Sequence, residues 1–343
     1  MLRLFCTLAA TVLLAAPAPA QTLLEGGHLE PPVLGRFFDP QTKSVRTISG
    51  VPGASSASPA SDGAFRYGVS APHRPWSIVD RAAAGSLELL TFSRSTPILR
   101  GFDAANGVDQ IAFSPSGDAA VLYWRGSRAE VWRNFSTAPE RAGLYSLESM
   151  DGDVVSLAVA DDGSAAALIV RQDGASRLYV LADGVRETGD DGNWSAVAFA
   201  PGNRTAYAAN RETNEVLRFT DFGSSGAAAV VASDADGIAS PSALAISGDG
   251  RTLIVANQDD PSIAILNLDS RRSSVLTLER AADGLFALAG NAVFRLSSAA
   301  KPELFVLDAD SADARITVIA APTAADSATA DPSTSQPAVK GGK

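Results

Sequence analysis

Residues 153–185 read DVVSLAVADDGSAAALIVRQDGASRLYVLADGV. Three apolar runs are followed in turn by Asp161-Asp162-Gly163, Gln172-Asp173-Gly174 and Asp183-Gly184. Glycine reaches positive φ without steric strain, and aspartate hydrogen-bonds its own turn, so each of these tripeptides and dipeptides reverses the chain. The reading is a meander of short strands: Val154–Ala160, Ala165–Val170, Arg177–Leu181 and a brief fourth strand after Gly184.

The opening of this unit recurs. Ile111-Ala112-Phe113-Ser114, Leu157-Ala158-Val159-Ala160, Val197-Ala198-Phe199-Ala200, Leu244-Ala245-Ile246-Ser247 and Phe286-Ala287-Leu288-Ala289 share one pattern, apolar-Ala-apolar-small. Their alanines lie 46, 40, 47 and 42 residues apart. A period of that length filled with short strands marks a β-propeller. No sustained 3.6-residue periodicity separates the strands, which excludes a parallel α/β sheet. The innermost strands read as nearly continuous apolar runs, as expected for sheets buried on both faces. The central alanine suits the crowded axis where blades converge.

Five clear units span about 108–320, and an irregular one covers about 64–102, with Leu87–Phe92 as its best strand. Upstream, Leu34–Phe38 and Ser44–Ile48 flank an Asp39-Pro40 turn. The expectation is an all-β propeller of six to seven four-stranded blades. The N-terminal strand pair either completes the last blade or, in a seven-bladed ring, builds an incomplete blade of its own; ring closure removes exposed edges.

The chain ends carry separate signals. Arg3, the apolar Leu4–Ala16 stretch and Ala18-Pro19-Ala20 read as a secretory leader cut after Ala20, so a secreted or periplasmic location is expected. That apolar stretch is shorter than the roughly 20 residues a membrane span needs, and no later segment is long enough. The only cysteine, Cys6, falls within the leader, which excludes disulfides and thiolate chemistry from the mature chain. Residues 52–63 (PGASSASPASDG, with the Pro at 52) read as a loop, and 321–343 as a disordered tail. The net charge of −10, or −11 without Arg3, argues against nucleic acid and anionic lipid. A single propeller domain over 21–320, monomeric, is expected.

Tyr207-Ala208-Ala209-Asn210 and Ile254-Val255-Ala256-Asn257, each followed by a polar loop and an apolar strand, resemble the Tyr-Val-Thr-Asn strand of YVTN-type, WD-repeat-like β-propellers. The other units keep the strand order without the asparagine. The resemblance implies fold, since the wider family includes binding proteins, surface-layer repeats and lactonases. One type of propeller lactonase holds a metal in its channel with Glu, Asn and Asp. This chain offers Asn210, Asn257 and several Asp residues there, but no comparable Glu.

The two histidines, His28 and His73, lie outside the repeats, and no HExxH, GxSxG or GxxxxGK[ST] motif occurs. Candidate ligand-binding residues are therefore positional. The loops that enter a blade and those joining its second and third strands share one face of a propeller. They carry Asp109, Asp153, Asp191, Trp194, Asn210, Asp236, Asn257 and Asp283. If the carboxylates converged, Ca²⁺ is the ion they would suit; otherwise they are turn formers and no cofactor is implied. The function expected from these features is an exported, non-catalytic scaffold that binds a protein or other envelope partner through its top-face loops. The alternative is a metal-dependent hydrolase or lactonase with its site in the central funnel.

Overall fold

The computed structural model describes residues 31–59, 64–93, 96–188, 192–202, 204–224, 228–297, 303–310 and 313–320. The leader, the tail, His28 and Asp191 lie outside them. The turns form as their residues dictate: Gly163 (φ 68°), Gly174 (φ 85°) and Gly250 (φ 74°) occupy the left-handed region that an L side chain strains to reach.

These turns fold the chain into seven antiparallel sheets, making a seven-bladed β-propeller. Blade 1 spans 33–59, blade 2 67–105, blade 3 110–146, blade 4 153–187, blade 5 194–232, blade 6 241–277 and blade 7 286–320. Blades 2–7 have four strands each and blade 1 has three. Blade 4 runs Asp153–Val159, Ala166–Gln172, Ala175–Leu181 and Val185–Glu187, close to the strands expected from its sequence. The first strands of blades 2 to 6 contact one another in succession around the axis.

The second strand of each blade is the most buried. Ala119–Trp124 and Ala206–Asn210 are buried at every position, whereas first strands such as Gln110–Phe113 are mostly half-buried. The continuous burial expected of the innermost strands therefore belongs one strand outward. A second strand has sheet on both edges and blades on both faces; a first strand borders the open axis.

The N-terminal strand pair does not complete the last blade but builds the incomplete blade that a seven-bladed ring requires. It forms its own sheet with a third strand, Ala54–Pro59, from the stretch that composition marks as a loop. Its serines pair through the backbone, which composition does not report. The first strand, Val33–Asp39, runs opposite to the first strands of its neighbours. Leu34 near its start accepts a 2.6 Å bond from the N–H of Ala289, in the turn after the first strand of blade 7. Phe38 near its end meets Tyr67, which begins the first strand of blade 2, at 6.3 Å between rings. By direction, blade 1 thus holds the second, third and fourth strands of a standard blade. Closure comes from face packing: Leu34, Phe37, Ile48 and Ala57 bury against Leu288, Val293, Leu304, Val306 and Ile319 of blade 7.

At the end opposite the blade-entry loops, turns of adjacent blades are stapled together. Asp161 accepts the N–H of Ser116 in blade 3 and of Gly202 in blade 5, both at 2.6 Å. Asn291 accepts the N–H of Asp249 at 2.7 Å, and the Trp76 indole donates to the Gly117 carbonyl at 3.0 Å. His73 belongs to this end too, in the turn joining the first two strands of blade 2. No helix among the described residues is long and apolar enough to cross a membrane.

Candidate functional site

The blade-entry loops and the loops between second and third strands gather at the other end of the ring. There a cavity of about 630 Å³ opens over blades 4–7. Its polar wall includes Arg171, Asn193, Ser195, Arg211, Gln258 and Asp283. Among the described residues, its lining sets two arginines against one carboxylate, in a chain whose net charge is −10.

Each cationic group has a structural origin. Arg171 stands near the end of the second strand of blade 4 and is exposed. Arg211 follows the second strand of blade 5 and is held by Gln258 of blade 6, whose Oε1 accepts from its Nη2 at 2.9 Å. The arginine is thereby positioned by a neighbouring blade. Ser195 and Ser242 repeat one geometry in successive blades: each hydroxyl donates to a second-strand carbonyl, Ala209 at 3.3 Å and Ala256 at 3.2 Å.

Asp283 enters from the loop before blade 7, with its backbone N–H bonded to the Leu296 carbonyl. Beside it lies Arg295, a single arginine at a strand end that carries no pattern in the sequence. Arg295 is only 7% exposed. Its guanidinium packs 4.1 Å from the Phe286 ring centre and 5.4 Å from that of Phe37, and it donates to the Ser297 carbonyl. Its Nε is buried with no hydrogen-bond partner. Burial pushes its pKa down to about 10, and the Asp283 carboxylate opposes that shift.

The sign of the pH effect follows. Above about pH 10 the unfolded chain holds the arginine proton more tightly than the folded one, so this contribution to stability rises with pH there. Below that window the burial penalty is fully present, on the order of 3 kcal/mol. Arg295→Met should therefore be at least as stable as the parent at neutral pH, with its lead shrinking above about pH 10. Urea unfolding at the two pH values measures this; a lead that grows with pH refutes it.

Of the residues singled out in the sequence, Trp194 and Asp283 line the funnel. Trp194, however, is 2% exposed and packs in the core of blades 4 and 5, so it is not the exposed rim aromatic that its position beside a turn suggests. Asp109 and Asp153 share Arg125: the Asp109 carboxylate accepts its backbone N–H at 2.8 Å, and Asp153 its guanidinium at 2.6 Å. Neither lines the cavity. Asp236 accepts the Ser233 N–H at 3.1 Å across a short 3₁₀ turn, Asp234–Asp236.

The motif asparagines hold loops. Asn210 Oδ1 accepts the N–H of Glu212 at 2.9 Å. Asn257 Oδ1 accepts the Ala239 N–H at 3.0 Å, while its Nδ2 donates to Gly237 at 2.8 Å and to Ser262 at 2.9 Å. Their oxygens are already committed to backbone donors, and among the described residues no three Asp, Glu, His or Cys side chains are grouped as a metal ion requires. Asn257 is 1% exposed, and Asn257→Ala removes its bonds to Ala239, Gly237 and Ser262; among the described residues only Ser262 keeps a second partner, the Asp260 carbonyl. A loss of about 2–3 kcal/mol in chemical unfolding is expected; lost activity at unchanged stability would make it a ligand-contacting residue instead.

The family model "Lactonase, 7-bladed beta-propeller" matches residues 133–284. That stretch contains every residue lining the funnel. No curated protein matches the chain. Among solved structures, the chain is similar to a putative 6-phosphogluconolactonase from Bacteroides uniformis, at 14% identity and a TM-score of 0.54, covering 84% of this chain and 96% of that one. It is also similar to a protein of unknown function from Desulfotomaculum acetoxidans, at 12% identity and a TM-score of 0.54, covering 84% and 99%.

Proposed function

We propose that the funnel binds a small lactone and hydrolyses it to the hydroxy acid. One observation carries this reading: Arg171, Arg211 and Asp283 surround a single cavity of about 630 Å³, and that cavity lies wholly within the segment matching the lactonase model. The chemistry needs no group beyond water. Asp283 takes a proton from water as its oxygen adds to the lactone carbonyl carbon. Arg171 and Arg211 face the oxyanion that forms, and fixed positive charge stabilises it more than the neutral carbonyl. The ring C–O bond then breaks, Asp283 returns the proton to the departing alkoxide, and the carboxylic acid formed releases its own proton to solvent and pairs with the arginines as the carboxylate.

The test is a pH-stat assay of the full chain against aldonolactones and simple alkyl lactones, with calorimetry of the corresponding hydroxy acids. Turnover above the spontaneous rate, lost in Arg211→Ala, supports the proposal. Hydroxy-acid binding without turnover would overturn hydrolysis and return the funnel to the binding-only role expected of a scaffold. No turnover and no binding would overturn both.

A further inference from the structure

A second cavity, of about 250 Å³, lies between blades 6 and 7 on the funnel side of the ring. Its character is opposite to that of the funnel. Leu278, Leu296, Phe305, Ile316 and Val318 supply an apolar lining. The Arg280 guanidinium stacks over the Phe305 ring at 4.6 Å, at the edge of this lining. Val318 remains 58% exposed, although the packing of blades buries most side chains of its size. The two cavities are contiguous in the chain, because Ala281, Ala282 and Asp283 line both. The carboxylate placed at the reacting end of the funnel therefore stands at the border of an apolar recess.

We infer that this recess receives an alkyl substituent of the funnel ligand, so that the substrate class is a lactone bearing an aliphatic chain on its ring. This rests on the lactone reading of the funnel. The ring and its developing carboxylate stay with Arg171 and Arg211, and the chain crosses the 281–283 segment to lie against Leu296, Phe305 and Val318. Burying aliphatic carbon supplies affinity in proportion to its length, about two- to fourfold per methylene. A polar funnel alone supplies none of that dependence.

The experiment measures kcat and KM for γ-butyrolactone and its ethyl, butyl and hexyl derivatives. KM should fall along the series. Val318→Asp, at an exposed strand position where the fold tolerates it, should flatten the series and leave the unsubstituted lactone unaffected. In parallel, the neutral fluorescent probe N-phenylnaphthylamine should bind the parent chain and be displaced by the hexyl lactone, with affinity reduced about tenfold or more in Val318→Asp. A flat series with the unsubstituted lactone still hydrolysed would overturn the alkyl subsite and leave the function standing. Probe binding sensitive to Val318→Asp and to the hexyl lactone, with no lactone hydrolysed, would overturn the hydrolysis and retain the subsite.

Discussion

Asp283→Asn should lower kcat/KM for lactones by about 10²–10⁴-fold, the range that removal of a general base produces. The amide keeps the size of the side chain and its place beside Arg295 but cannot take a proton from water. Because Asp283 is exposed and its backbone is held by the Leu296 carbonyl, the variant should still fold, with a lower unfolding midpoint because the buried Arg295 loses its neighbouring carboxylate. The pH profile separates this role from simple charge pairing. With aspartate present, activity should rise as the carboxylate ionises; in the asparagine variant that acid limb should vanish. Loss of activity with the acid limb retained would assign the base elsewhere. The substitution also removes the charge that holds up the pKa of Arg295, so that pKa should fall below its value of about 10.

Trp194→Ala should destabilise the chain by about 3–5 kcal/mol, as deletion of a large buried aromatic does. The ring sits 6.0 Å from that of Phe219, tilted by 60°, within a cluster that includes Val197, Phe199 and Phe222. That cluster joins blades 4 and 5, so the void would open at a blade interface rather than at the rim. In thermal unfolding the drop should be roughly 10 °C or more for a domain of this size. The ring also borders the funnel, so the variant would enlarge the site as it loosens the seam. Unchanged stability with weakened ligand affinity would instead make Trp194 a ligand contact.

The sequence was most legible where local chemistry repeats. Gly163, Gly174 and Gly250 mark turns because only glycine takes their φ without strain. Runs such as Ala166–Val170 are apolar at every position because blades cover both faces, and that pattern is visible in one dimension. Blade 1 was less legible. Ala54–Pro59 has no apolar signal, since its place in the sheet rests on backbone pairing with Ser44–Val51. The reversed direction of Val33–Asp39 depends on contacts with Ala289 and Tyr67, hundreds and tens of residues away, which no local pattern encodes.

The candidate site divides in the same way. That acidic and amide residues occupy the entry loops is written in the chain. Which of them face the axis is not, because Asp109, Asp236, Asn210 and Asn257 spend their oxygens on nearby backbone N–H groups, a choice made by loop geometry. Arg171, Arg211 and Asp283 come from three blades, with more than a hundred residues between the first and last. The sequence by itself determined the repeat, the turns and hence the propeller, since these arise from contacts between near neighbours. Only the tertiary structure decided which charges meet, because closing the ring brings together blades that are remote in the chain, and the sign of the funnel is a sum over all of them.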